Sequence, residues 1–306
     1  MVAPKNFAWS FRDVAVFSKE RVYLTAGHDK SSAKNIPVSA ILRWTGSWES
    51  KPFDIASVSL CVITHPERNV IMLGNDGRVV RWGSKDFSEE HVDNSDQGPE
   101  HYGAMREVRT IGRYAYAVGM GRIVYRCEGQ ANWRRIDQGV RTDSTKELEA
   151  GFNSIDGFSD DELYAVGWDG EIWGYSNRSW TKFESPTNLA LYRVVCASDG
   201  QVYAVGQLGL IVRGRHSKWE IIEQDATRED FWGATWFREK LFLATANGLF
   251  TLQANSLAPV DIAPIKKTRS DCFYRLSSAE DCIWSVGEKM AIYSDDGHTW
   301  SEVVYK

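Results

Sequence analysis

No stretch of this 306-residue chain approaches the roughly 18 consecutive apolar positions of a spanning helix, so no membrane-crossing segment is expected. The opening MVAPKNFAWSFRDVAVF has a single lysine, no apolar core and no small-residue cleavage site, and it reads as lacking a signal peptide. Cysteine is sparse and odd in number. Cys61, Cys127, Cys196, Cys272 and Cys282 sit mostly inside apolar runs without C-x-x-C spacing, which suits reduced thiols in a cytoplasm better than a secreted disulfide framework. Cys272 and Cys282 flank one expected hairpin and read as two buried thiols. A basic excess is also missing: 36 Lys plus Arg face 41 Asp plus Glu, a net charge of −5 that is unfavourable to phosphate backbones. Neither nucleic acid nor a membrane is an expected partner.

Catalytic signatures are absent too. There is no G-x-S-x-G turn, no H-E-x-x-H pair, no phosphate-cradling G-x-x-x-x-G-K and no D-x-[DN]-x-[DN]-G calcium loop. None of the six histidines, His28, His65, His91, His101, His216 and His298, has a partner at metal-ligand spacing, so they read as isolated imidazoles. No metal and no cofactor is expected.

Aromatic residues and glycine, in contrast, are plentiful. Thirteen Trp, 12 Tyr and 13 Phe favour strands over helices. Aligned on the glycine that ends the YAVG phrase, the chain repeats at Gly27, Gly74, Gly119, Gly167, Gly206 and Gly287, with Thr245 filling the remaining slot. The steps of 47, 45, 48, 39, 39 and 42 residues match one propeller blade per unit. Each unit reads as four short strands: an apolar run, a polar turn, a VYAVG-like strand, a tight turn, a third strand and a fourth marked by an aromatic. Asp76-Gly77, Asp169-Gly170 and Asn247-Gly248 suit hairpin turns that need positive φ. The closing aromatic recurs as Phe87, Trp133, Trp180, Trp219 and Trp300, with Trp48 in the first unit, where it is expected to fill the wedge that widens between blades. One four-stranded sheet cannot bury both faces alone, which is why the phrase repeats. The fold expected is all-β, a seven-bladed β-propeller of four-stranded antiparallel blades. It is expected to form one domain over residues 1–306, with units at roughly 9–50, 56–92, 103–137, 151–184, 190–223, 231–260 and 271–306.

The segments ELYAVGWDGEIWGYSNRSWTKFE and QVYAVGQLGLIVRGRHSKWEIIE resemble the VWAVG-x-x-G-x-I…W repeats of bacterial β-propeller proteins. Those repeats grade into the Asp-box (BNR) propeller group, which includes photosystem assembly factors and sialidases. The DDGHTW run that ends at Trp300 matches the D-x-G-x-T-W part of an Asp box, with Tyr293 where the box usually has Ser. The resemblance implies a structural role for Asp295, its carboxylate capping its own turn. Sialidases of the group open with F-R-I-P, whereas Phe11-Arg12 is followed here by Asp13-Val14. Arg43, Arg109, Arg193 and Arg275 form no pattern that maps onto the arginine cluster of those enzymes.

In a four-stranded blade the second-to-third hairpin and the crossing to the next blade lie on one side. The long segments 28–39, 93–102, 138–150, 223–231 and 258–271 all belong to that side, whereas 159–161 and 198–200 are short turns on the other. Loops on a rigid scaffold carry recognition, so the loop-rich side is the candidate surface. The aromatics at or near the starts of innermost strands, Tyr102, Phe152, Phe231, Trp232, Trp236 and Tyr274, are candidate anchors within a polar rim that includes Lys266, Lys267 and Arg269. The function expected is a non-catalytic protein-binding scaffold, such as an immunity or assembly factor for one dedicated protein, monomeric by itself. The alternative is a glycan-binding or glycoside-hydrolysing, sialidase-like propeller that uses a central pocket and paired carboxylates.

Overall fold

The apolar run that ends at each repeat glycine forms a strand buried on both faces. In Glu162–Gly167, Leu163, Tyr164, Ala165 and Val166 are all interior, whereas the outermost strand Ser179–Phe183 buries only Trp180 fully. A strand covered on both sides reads as a continuous hydrophobic run, and an outer strand keeps its polar positions. The structure, a computed structural model, describes residues 8–84, 86–142, 150–263, 265 and 272–305. Its strands form seven four-stranded antiparallel sheets, each built from four consecutive strands, so the chain is a seven-bladed β-propeller.

By contact the chain divides into two units, one formed by Met1–Ser57 with Gln224–Lys306 and the other by Val58–Glu223. In the first unit, blade one comprises β1 (Trp9–Ser18), β2 (Arg21–His28), β3 (Ser39–Trp44) and β4 (Trp48–Phe53). A four-residue helix, α1 (Asp29–Ser32), lies in its β2–β3 connection. The second unit holds the next four blades. Blade two is β5 (Ser57–Ile63), β6 (Asn69–Gly74), β7 (Arg78–Trp82) and β8 (Phe87–His91). After α2 (Pro99–Tyr102), blade three is β9 (Met105–Ile111), β10 (Tyr114–Gly119), β11 (Val124–Gly129) and β12 (Asn132–Arg135). Blade four is β13 (Phe152–Ser159), β14 (Glu162–Gly167), β15 (Ile172–Ser176) and β16 (Ser179–Phe183). Blade five is β17 (Leu191–Cys196), β18 (Val202–Gly206), β19 (Ile211–Arg215) and β20 (Lys218–Ile221). The last two blades return to the first unit. Blade six is β21 (Gly233–Phe237), β22 (Lys240–Ala244), β23 (Leu249–Gln253) and β24 (Ser256–Pro259), and blade seven is β25 (Arg275–Ser278), β26 (Ile283–Val286), β27 (Ala291–Ser294) and β28 (Ser301–Glu302).

Blades one and seven pack directly on each other without exchanging strands. Buried Trp284 of β26 shares a core with Val14, Val22 and Leu24, and Trp48 Nε1 donates to the Val304 carbonyl at 3.0 Å.

The repeat glycine answers to space rather than to backbone angle. A Cβ on Gly167, Gly206 or Gly287 would overlap the carbonyl oxygen of Gly151, Ala190 or Cys272, where the chain leading into the innermost strand passes. The tight turns behave as their sequences predict at Gly77, Asp169 and Gly170, all at positive φ. Asn247-Gly248 differs. Neither residue is at positive φ, and the Thr245 hydroxyl holds that turn by accepting from the amides of Asn247 (3.2 Å) and Gly248 (3.0 Å).

The closing aromatics are not equivalent. Trp180 is interior, donating from Nε1 to the Ile136 carbonyl at 2.7 Å and packing on Phe152 and Tyr175. Trp300 is interior as well, whereas Trp219 and Trp133 are half-buried. In the DDGHTW turn the capping carboxylate is Asp296, not Asp295. It accepts from the amides of Thr299 (2.7 Å) and His298 (2.8 Å) and from the Ser294 hydroxyl, and these bonds hold its pKa well below the ordinary carboxylate range. Asp295 pairs with Lys19 instead. All five cysteines are free thiols.

Candidate functional site

In the first unit the loop side gathers two of the anticipated aromatics. Trp232 precedes β21 and Tyr274 precedes β25; their rings meet edge to face at 6.3 Å, and both are half-buried. Backbone bonds fix each ring at the start of its innermost strand, Trp232 N to the Ala244 carbonyl at 2.9 Å and Tyr274 N to the Val286 carbonyl at 3.0 Å. Arg275 Nη1 donates to the Trp232 carbonyl at 2.8 Å and ties the starts of β21 and β25 together. Burial, reinforced by Cys272 and the Glu288 carboxylate nearby, raises the Tyr274 pKa, so its hydroxyl stays protonated and able to donate.

Basic side chains serve the same tying purpose elsewhere in this unit. Arg12 donates to the Ser57 carbonyl at 2.9 Å, and Lys289 to the Trp9 carbonyl at 2.8 Å while pairing with Asp29 at 2.5 Å. These cations are engaged with backbone where adjacent innermost strands begin.

The other anticipated residues are placed differently. Phe231, immediately before Trp232, is fully buried and packs edge-on against Phe250. Trp236 lies towards the far end of β21, next to the Arg238-Glu239 turn, and its carbonyl accepts from Ser278. Phe152 is interior. In the second unit Tyr102 ends α2 half-buried, with the Arg141 guanidinium 3.5 Å from its ring centroid. Lys266, Lys267 and Arg269 lie outside the described residues.

The arginines considered for a sialidase-type site resolve into three environments. Arg43 pairs with Glu49 on an outer edge, and Arg275 holds the Trp232 carbonyl. Arg109 and Arg193 come together across the innermost strands β9, β13 and β17 of the second unit. Arg193 pairs with Glu107, and Arg109 pairs with Asp156 at 3.0 Å and donates to the Val194 carbonyl at 3.1 Å. Both carboxylates are otherwise occupied: Glu107 accepts from Ile155 N at 2.9 Å, and Asp156 from Cys196 N at 2.8 Å and Gly157 N at 2.9 Å. Burial pushes Glu107 up, but Arg193, Arg109 and the hydrogen bonds outweigh it and leave the group below its ordinary value. For Asp156 burial prevails over Arg109, and its pKa is raised. With Glu107 only 3% and Arg193 6% exposed, this cluster braces three blades.

Sequence reasoning does not single out a second feature of the loop side. In the second unit, Trp168 and Leu208 stand in the β14–β15 and β18–β19 turns, and Tyr192 sits at a bulge in β17. The signal is present, since GWDG and GQLG place different side chains at one blade position.

The fold thus defines the chain as a seven-bladed β-propeller. A curated relative, the immune protein Tsi7 of Pseudomonas aeruginosa, is 39% identical over 293 residues, covering 93% of this chain and 94% of the relative. The chain belongs to the family of that immune protein. No family model matches the sequence. Two solved structures share the fold: YCF48 bound to D1 peptide, with a TM-score of 0.67, 15% identity and coverage of 98% and 94% of the two chains, and the WD40 β-propeller domain of Doa1, with a TM-score of 0.69, 11% identity and coverage of 94% and 93%.

Proposed function

We propose that this chain is an immunity protein, a non-catalytic scaffold that binds and neutralises one dedicated toxin protein on its loop-rich side. The observation that carries this reading is the 39% identity to an immune protein across 93% of the chain. The Trp232–Tyr274 pair serves as the anchor in the first unit, Tyr102 contributes in the second, and Lys266, Lys267 and Arg269 supply rim charge. The engagement of Glu107, Asp156, Arg109 and Arg193 with one another and with backbone supports a scaffold over a hydrolase. The hairpin at Ser294 to Trp300 is a folding element of Asp-box type. No described helix is long and apolar enough to cross a membrane, and five free thiols support action in a reducing cytoplasm as a monomer.

The test is co-expression of this chain with the protein encoded beside its gene. Growth is expected to be restored by the wild type and lost with Trp232→Ala at equal, folded expression. A neighbouring product that neither harms the host nor binds the chain would overturn the reading.

A further inference from the structure

We infer that the β18–β19 turn of the second unit is a docking anchor, in which Leu208 inserts into an apolar socket of the partner while flanking carboxylates engage lysine or arginine around that socket. This deepens the proposed function and rests on its reading that the ligand is a protein.

Leu208 is 55% exposed, more than any other large apolar side chain among the described residues. It also sits at φ 55° and ψ 31°, in the left-handed region that disfavours residues bearing a Cβ. Eleven described non-glycine residues have positive φ, and Leu208 alone among them carries a large apolar side chain. The equivalent position of blade four is Asp169, at φ 53° and ψ 29°, a residue type that tolerates this conformation. Leucine at the blade-five position therefore adds backbone strain while leaving most of its side chain in water, and neither effect stabilises the fold.

Its surroundings form a coherent surface. The crossing from blade four to blade five runs between the two turns: a Cβ on Gly170 would collide with Thr187, and Gln207 makes two bonds to Ala190, Oε1 accepting from its amide at 2.9 Å and the backbone amide donating to its carbonyl at 3.0 Å. Trp168 and Tyr192, half-buried and edge to face at 6.4 Å, stand along this stretch, and the buried Trp168 Nε1 has no hydrogen-bond acceptor among the described residues. Asp169 and Glu184 are exposed beside it and make no ion pair among the described residues. No lysine or arginine occurs in segments 168–170, 184–192 or 207–211, and the adjoining cations Arg122 and Lys182 are directed at Glu171 and the Trp173 ring. An apolar tip bordered by exposed carboxylates that form no ion pair among the described residues complements an apolar socket bordered by cations. A second copy of this chain, with its net charge of −5 and the same acidic border, is the less complementary occupant.

The experiment measures binding of the full chain to the purified protein encoded beside its gene, by surface plasmon resonance at two salt concentrations. Leu208→Asn is expected to weaken the complex about tenfold or more, mainly through faster dissociation, while the unfolding midpoint rises by about 1–2 °C because asparagine suits the left-handed site. Asp169→Lys combined with Glu184→Lys is expected to slow association about tenfold at low salt and to flatten its salt dependence. Affinity within about twofold of wild type for Leu208→Asn, or a fall in its unfolding midpoint, overturns the inference while the proposed function stands. Unchanged association of the charge variant removes the basic border from the partner and overturns it equally. Concentration-dependent dimers in sedimentation that vanish with Leu208→Asn would assign the tip to self-association and overturn it too. Absence of binding by the wild type overturns the proposed function and this inference together.

Discussion

Truncating Trp180 to alanine tests whether an aromatic on the outermost strand serves as an inter-blade wedge. The ring is 8% exposed. A buried tryptophan removes roughly 150–250 Å² from water, which at about 25 cal/mol per Å² sets an upper bound near 4–6 kcal/mol. Large-to-alanine truncations of buried aromatics cost about 3–5 kcal/mol. The lost bond from Nε1 to the Ile136 carbonyl adds about 1 kcal/mol, so Trp180→Ala is expected to cost about 4–6 kcal/mol. Trp219 occupies the same repeat position but is half-buried, and its Nε1 donates to His216 within its own hairpin. About half the apolar loss, roughly 2 kcal/mol, is expected for Trp219→Ala. Urea unfolding followed by circular dichroism measures both. Equal losses, or a larger loss at Trp219, would refute the assignment of Trp180 as the deeper wedge.

Glu107→Gln is expected to cost about 3–5 kcal/mol at pH 7, because it leaves Arg193 buried without its carboxylate. Since the folded-state pKa of Glu107 is lowered, its contribution is fully present above the unfolded value near 4.3 and is lost as pH falls below it, so the gap between wild type and variant should narrow as pH is lowered below that value in denaturant titrations. Asp296→Asn is expected to lower the thermal midpoint measurably, whereas Asp295→Asn, which breaks only an exposed pair with Lys19, should leave it within about 1 °C. Gly206→Ala should destabilise by more than about 2 kcal/mol, because its methyl meets the Ala190 carbonyl oxygen; calorimetric scans would record this as a large drop in midpoint.

The blade count is readable because a packing requirement recurs in the same words. The YAVG glycine marks where a carbonyl crosses close to the second strand, and the run before it marks a strand covered on both faces. Even the unit with Thr245 keeps its four strands, since a threonine hydroxyl supplies the turn bonds. Side-chain exposure is less legible. Phe231 and Trp232 are adjacent aromatics, yet one is interior and the other half-buried, because neighbouring residues at the start of a strand point in opposite directions. Trp236 is close to Trp232 in sequence, but four further residues carry the chain to the opposite end of its strand, away from the loop side. Arg109 and Arg193 are 84 positions apart, and only the stacking of innermost strands brings them to the same carboxylate cluster. Leu208 draws no attention in the sequence because an exposed leucine is ordinary until its backbone conformation is known.

Hydrogen exchange of the chain, alone and saturated with the protein encoded beside its gene, addresses the central claim most directly. The account predicts slowed exchange in segments 168–170, 187–192, 207–209 and 232–233, with 159–161 and 198–200 unchanged. Protection confined to 159–161 and 198–200, with the loop-side segments exchanging as in the free chain, would contradict it.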